Sequence, residues 1–558
     1  AQTMKYDKDG NLVSVKSTGN SEETSQHENG DLIKSVTGGY GTFEYTYDDR
    51  HNMTEATNGL VKQTVRYNAD GTAKSATLVK KDGTGEKITT STEYTNSGNL
   101  VSKQTDARGN ATTSTYDGLY SQMTGQPYSV TDAMGTVTRT NYAGPLYRVS
   151  STFIGGVAFV GYDYNSDGSL ATLQRKGFRN GDAFFQYYNF TYDAFGNTSG
   201  ISVGNRQLAG YTYAPRNGSL TRQTYGNGDY VTFQYDSLNR TTQKSTSSGD
   251  TYTYAYTGDG QLGRMTDSAL GRTYGYTYDS LERLVGYQEN KTGDNSRILS
   301  SRYTFDENDR TTKFAYSIPG AIDNGSVSYY YNSNSEDAIP DGALTKMNLA
   351  NGADLVFTYD SLGRLSGRSL AGLLGESYTY AQGATQGTTT TLANSLLVKD
   401  LKSGTTLAGS SYEYDALGRI TKATDTKTNA YTTYAYDTQG QLLTAKVYNA
   451  GGALQKTYTY TYDTVGNLLT ASDGSTTHTY AYGDEQWRDL LTAYDGHAIT
   501  YDQTGNPLTY YDGSAFTWRN GRQLASWTKS GQTTSYTYNA DGLRTKKVNP
   551  DGSWSEYH

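Results

Sequence analysis

Cysteine is missing from all 558 residues. That removes disulfides, thiol nucleophiles and thiolate metal sites together, and it is compatible with export or with the cytosol. Histidine is nearly as scarce. The five present, His27, His51, His478, His497 and His558, form no spacing suited to a metal ion. Only 7 prolines interrupt the chain. No run of five or six like charges forms a polybasic or acidic arm. No apolar stretch approaches the roughly 18 residues of a membrane helix, so no membrane span is expected. Nor is a leader expected, because Ala1-Gln2-Thr3-Met4-Lys5 runs straight into strand-like sequence. A net charge of −8 gives no basic footprint, so nucleic acid is not an expected partner.

What is abundant is tyrosine, 54 residues, and glycine, 63. Hydrophobic content is only 34% and mean hydropathy is −0.73, values that by themselves would fit disorder. Disordered chains are poor in aromatics, however, and this one is 13% aromatic. Tyrosine and threonine with few prolines describe β-strands separated by glycine turns.

One pattern returns along the chain: Tyr-Asp/Asn, two variable residues, Gly, Arg/Asn, then an aliphatic. Its clearest copies are Tyr6-Asp7-Lys8-Asp9-Gly10-Asn11-Leu12, Tyr359-Asp360-Ser361-Leu362-Gly363-Arg364-Leu365, Tyr414-Asp415-Ala416-Leu417-Gly418-Arg419-Ile420 and Tyr462-Asp463-Thr464-Val465-Gly466-Asn467-Leu468. Looser copies start at Tyr67, Tyr94, Tyr164, Tyr192, Tyr235, Tyr256, Tyr278 (with Asp279), Tyr436, Tyr501 and Tyr538, and Phe305 replaces tyrosine in one. Tyr213, Tyr235, Tyr256 and Tyr278 lie 22, 21 and 22 residues apart, room for two strands and two turns. Asp at the first position of a type I turn accepts backbone N–H groups, and Gly at the fourth can take φ > 0 and form the bulge that keeps a hairpin twisted. Upstream of the turns the alternation is strict. Tyr458, Tyr460 and Tyr462 face one way, and Thr457, Thr459 and Thr461 the other. The expected fold is all-β: antiparallel hairpins stacked in a quasi-one-dimensional, coiled or barrel-like sheet. The stretch near 371–411 lacks a clean motif and reads as a longer loop or degenerate repeats.

Tyr-Asp-x-x-Gly-Arg-Leu at spacings of 21 to 28 resembles the YD repeats of the Rhs family, which includes bacterial polymorphic toxins, wall-associated proteins, the toxin-complex C component and teneurins. The resemblance implies a β-sheet spiralling into a hollow shell that in toxins encloses a C-terminal effector. The residues Gly505-Asn506-Pro507-Leu508, Phe516 to Leu524 and Tyr538 to Arg544 resemble the segment preceding the Rhs core. No Asp-Pro dipeptide occurs, so the self-cleaving core and the effector are expected to lie outside this polypeptide, which then reads as a segment of a longer one. All four Trp follow residue 486 and all six Met precede residue 348. The expected division is therefore 1–486, a YD-repeat spiral, and 487–558, a terminal segment of the same body.

Candidate chemistry is sparse. Gly200-Ile201-Ser202-Val203-Gly204 matches the nucleophile-elbow pattern, but that elbow needs a following helix and a positioned His. Asp7-Lys8-Asp9-Gly10-Asn11 faintly resembles a calcium loop lacking its terminal Glu. Gly38-Gly39-Tyr40-Gly41 lacks the strand–helix context of a phosphate loop. The motif residues read as structural, with no catalytic, cofactor or metal site expected. Two functions remain: a secreted or surface-displayed bacterial shell segment that encloses a C-terminal toxin or effector polypeptide, or a surface adhesin whose Tyr, Ser, Asn and Gly bind glycans or proteins.

Overall fold

The computed structural model describes residues 2–17, 21–37, 41–95, 100–117, 119–144, 146–156, 158–320, 324–332 and 339–557. Strand follows strand, each paired antiparallel with its sequence neighbours: 43 form one continuous ladder ending at Ala498, and seven more form a second from Thr500 to Glu556. Among the described residues the only helix is the six-residue Leu119–Thr124. The all-β, antiparallel hairpin expectation holds. The region 371–411 is not a loop: it holds the strands Leu374–Gln382, Thr389–Asp400 and Thr406–Tyr414, and the second is 12 residues long. Tyr380 there is a repeat tyrosine whose turn has been lengthened, so the motif is degenerate while the hairpin persists.

The motif is a hairpin turn. In Tyr359–Arg364 the Gly363 N–H donates to the Asp360 carbonyl at 3.0 Å, and the Asp360 N–H to the Arg364 carbonyl at 2.8 Å. The strand register slips by one between Thr358 and Tyr359. The same slip precedes Tyr6, Tyr278, Tyr414 and Tyr462. Gly363, Gly418 and Gly466 take φ of 79°, 82° and 97°, the left-handed conformation the bulge requires.

The ladder coils back on itself. Side chains and backbone groups 269 to 314 residues apart meet along one seam. Early in the chain, Ser21 N–H donates to the Glu307 carbonyl and Ala384 N–H to the Ala107 carbonyl. Later come Arg179 with Asp463 and Arg272 with Glu556. About two turns of coil therefore make up the chain. At the seam, the rim of the first turn opposite its motif turns meets the motif rim of the second turn. Its accessible surface is 30247 Å², against about 20,000 Å² for a compact chain of this mass. The excess is that of a wall one sheet thick, with both faces accessible.

Candidate functional site

Two bonding systems hold this wall, one within the ladder and one between its turns. The first begins at the motif aspartate. Asp415 Oδ1 accepts the Leu417 N–H at 2.9 Å and the Arg419 N–H at 3.0 Å, while Arg419 Nε donates to Oδ2 at 2.6 Å. Burial works against the charged carboxylate, but the Arg419 guanidinium and the turn N–H groups outweigh it and hold Asp415 below its ordinary range. Asp279 and Asp306 are lowered in the same way by Arg283 and Arg310. The motif tyrosine ties each repeat to the one before. Tyr380 Oη donates to the Leu365 carbonyl at 2.8 Å, Tyr436 to Ile420 at 2.8 Å and Tyr462 to Leu442 at 3.0 Å. Each acceptor is the aliphatic residue that closes the preceding motif. Tyr278, Tyr359 and Tyr414 make the same bond, to Leu262, Leu344 and Ala393. The carbonyl partner of these hydroxyls was not read from the sequence. The separation between tyrosine and acceptor is 15 or 16 residues for Tyr278, Tyr359, Tyr380 and Tyr436, and 20 or 21 for Tyr462 and Tyr414.

The seam was not expected from sequence at all. Arg179, at the end of the strand Leu170–Arg179, reaches the wholly buried Asp463 carboxylate of the next turn at 2.8 Å. Its Nη2, which makes that contact, also donates to the Arg488 carbonyl and its Nη1 to the Tyr482 carbonyl, each at 2.8 Å. Arg175 pairs with Asp489 at 2.9 Å and Arg206 with Asp484 at 2.6 Å. Arg108 donates to the Asp415 and Ala416 carbonyls at 2.6 and 2.9 Å. Farther along, Gly521 N–H donates to Asp229 at 2.8 Å, and Arg519 pairs with Asp250. Apolar packing at the seam centres on Tyr252, Met265 and Tyr274 of the first turn and Ala540 of the second. Burial there raises the Tyr252 and Tyr254 hydroxyls to about 12. Burial likewise raises Asp267, whose Oδ1 accepts the Leu270 N–H while Oδ2 has no protein partner.

The structure does not assemble the chemical motifs into a site. Ser202 lies in the strand Thr198–Val203, and Gly204 turns the chain into the strand Arg206–Tyr213, a hairpin rather than an elbow. The Asp7 carboxylate accepts the Asp9 and Asn11 N–H groups at 2.9 Å each, so it is engaged by its own turn. Residues 38–40 and His558 lie outside the described residues, and Gly41 opens a strand. His51 and His478 pair singly with Asp31 and Asp495. No group of three His, Asp or Glu able to hold a metal ion occurs among the described residues. A concavity of about 620 Å³ beside the seam, between Gly155 and Thr438, carries Arg139 and no carboxylate on its walls. No helix among the described residues is long and apolar enough to cross a membrane.

Residues 398–557 match the Teneurin YD-shell family. No curated protein matches the chain in sequence. The crystal structure of TcdB2-TccC3 without its hypervariable C-terminal region covers 91% of this chain at a TM-score of 0.59 and 14% identity. That of TcdB2-TccC3-TEV covers 95% at 0.60 and 14%. A Photorhabdus luminescens Tc holotoxin pore carrying a mutated TccC3 covers 93% at 0.53 and 14%. Such identities show the fold alone. This chain spans 30% of the first two chains and 31% of the third. Over 398–557 the YD-shell match agrees with the Rhs/YD-repeat resemblance, and the likeness of fold extends over the rest of the chain.

Proposed function

We propose that this YD-repeat chain is a stretch of shell wall that encloses and protects a C-terminal toxin or effector polypeptide during secretion and delivery from a bacterium. The observation that carries the reading is the wall itself. It is a single sheet layer coiled through about two turns, with an accessible surface half again that of a compact chain. Such a wall leaves both of its faces accessible, one of them available for contents. The likeness to TcdB2-TccC3 structures, one described as lacking a hypervariable C-terminal region, supports the same assignment. Residues 1–486 and 487–558 are proposed as two segments of one wall, and the role as structural rather than catalytic. The test is protease protection in the full-length gene product. A C-terminal polypeptide that survives trypsin when the coil is intact, and is digested once the seam is opened by Arg179→Glu, supports enclosure. Equal digestion in both rules it out.

A further inference from the structure

The motif turns differ at their sixth residue, and the bonds across the seam differ with it. Where that residue is arginine, the turn neutralises its own aspartate. Asp360 Oδ2 accepts Arg364 Nε at 2.7 Å, and Asp415 Oδ2 accepts Arg419 Nε at 2.6 Å. Arg108 of the first turn lies against the second of these turns, yet the groups it reaches are the Asp415 and Ala416 carbonyls. Where the sixth residue is asparagine, a neutral amide replaces the cation and the carboxylate keeps its charge. Asp463 Oδ2 accepts Asn467 Nδ2 at 2.8 Å and, from the first turn, Arg179 Nε and Nη2 at 3.1 and 2.8 Å. Asp502 Oδ2 accepts Asn506 Nδ2 at 2.8 Å and, again from the first turn, Asn227 Nδ2 at 3.1 Å. Arg179 also lies 4.9 Å from the centre of the Tyr482 ring, as the motif residue Arg419 lies 4.8 Å from that of Tyr436. It performs both tasks of the arginine that Asn467 replaces. Asp437 to Gln441, with glutamine at the same position, lies against Gly155, which has no side chain to donate.

We propose that the sixth motif residue decides which repeats are bonded across the seam. Arginine makes a turn self-contained, and asparagine leaves a charged carboxylate for a donor on the neighbouring turn. Electrostatics gives the reason. A buried carboxylate needs a compensating cation, and the Asp463 carboxylate is wholly buried. Asn467 supplies a hydrogen bond but no charge, so the cation comes from a residue 284 positions away. An arginine in its place would reach the same Oδ2 through its planar fork and compete with Arg179 for it. The residue does not set the twist of the ladder. It sets where adjacent turns are fastened once the twist has brought them together.

A double-mutant cycle read by native-state hydrogen exchange over 463–489 tests this. In the wild-type chain, Arg179→Ala is expected to speed exchange there about tenfold or more, the effect of losing a bond to a buried charge. With Asn467→Arg already present, the same substitution is expected to add little. Asn467→Ala brings no cation, so in that background Arg179→Ala should act as strongly as in the wild type. The converse change builds a link. Arg419→Asn frees the Asp415 carboxylate beside Arg108, so Arg108→Ala should then speed exchange over 414–420 more than it does in the wild type. This second arm only removes atoms, and it keeps the test open if Asn467→Arg fails to fold by circular dichroism. An Arg179→Ala effect of equal size with Asn467 and with Asn467→Arg would overturn the proposal. So would an Arg108→Ala effect that Arg419→Asn leaves unaltered.

Discussion

The Arg364 guanidinium sits 4.0 Å from the centre of the Tyr380 ring while its Nε donates to Asp360 at 2.7 Å. One side chain thereby joins its own turn to the tyrosine of the next repeat. Arg240 over Tyr256, Arg310 over Tyr331 and Arg419 over Tyr436 repeat the arrangement at 4.5, 4.7 and 4.8 Å. Where the motif carries Asn467 instead, the next tyrosine, Tyr482, is covered by Arg179 of the neighbouring turn at 4.9 Å. Lysine cannot both bridge the carboxylate through a planar fork and stack on the ring. Arg364→Lys is expected to cost about 1 kcal/mol. Faster local hydrogen exchange on both sides of the Tyr380 strand would register it, and unchanged exchange would contradict it.

The tyrosine hydroxyl contributes separately. Tyr380→Phe keeps the ring but leaves the Leu365 carbonyl without its donor, a loss of about 1 kcal/mol. Tyr6 is 59% exposed and its hydroxyl reaches only the Met4 sulfur, at 3.5 Å. Tyr6→Phe is therefore expected to be neutral within about 0.5 kcal/mol. Chemical denaturation of the two variants compares them directly, and equal losses would remove the distinction between a linked and an unlinked repeat.

The strands and the motif turns were legible in the sequence. The period-two alternation gave the strands, and Asp with Gly three residues on gave the turn, because both are set by neighbours within ten residues. The coil pitch was not legible. Arg175, Arg179 and Arg206 look like ordinary strand residues until the ladder has twisted through some 280 residues and brought Asp489, Asp463 and Asp484 beneath them. Twist accumulates from small angles per strand, and no short motif encodes the sum. The elbow-like Gly200–Gly204 failed for the converse reason: its spacing matched, but the strand after it paired back as a hairpin.

Turn glycines divide by their place in the coil. A methyl group at Gly363 would lie 2.9 Å from Pro340 Cγ and 3.4 Å from Leu60, while one at Gly10 would meet nothing within 4 Å. Both positions are left-handed, so Ala strains each by about 1 kcal/mol. Gly363→Ala is expected to cost more, because it also presses on the seam. A smaller melting-temperature loss for Gly363→Ala than for Gly10→Ala would show the seam to be slack there.

Acid acts on the two classes of carboxylate with opposite sign. The motif aspartates Asp279, Asp306 and Asp415 are held below their ordinary range, so their stabilisation is complete above about pH 4 and is lost as pH falls through the lowered values. Asp267 is raised by burial, so it destabilises the folded chain at neutral pH and is relieved as pH falls toward its own value. Thermal melts from pH 7 to 3 should show a shallow gain before the acid loss. Asp267→Asn is expected to abolish the gain and leave the loss, whereas identical profiles would show that Asp267 is not strained.

Arg179 is the residue whose removal should separate the turns without unfolding the hairpins. Its guanidinium satisfies the Asp463 carboxylate, two carbonyls of the second turn and the faces of Phe184 and Tyr482. Arg179→Ala leaves a fully buried carboxylate unpaired, a loss of about 3 kcal/mol or more. Asp463 and Arg179 lie 284 residues apart, so that loss falls on the contact between turns, while the ladder hydrogen bonds on either side are untouched. The expected result is an unchanged far-ultraviolet circular dichroism spectrum with a larger radius of gyration by X-ray scattering and faster exchange over 463–489. The double variant Arg179→Ala, Asp463→Ala removes the stranded charge with its partner and should recover part of the loss. No recovery, with both single variants equally mild, would mean that the turns are held by their apolar contacts alone.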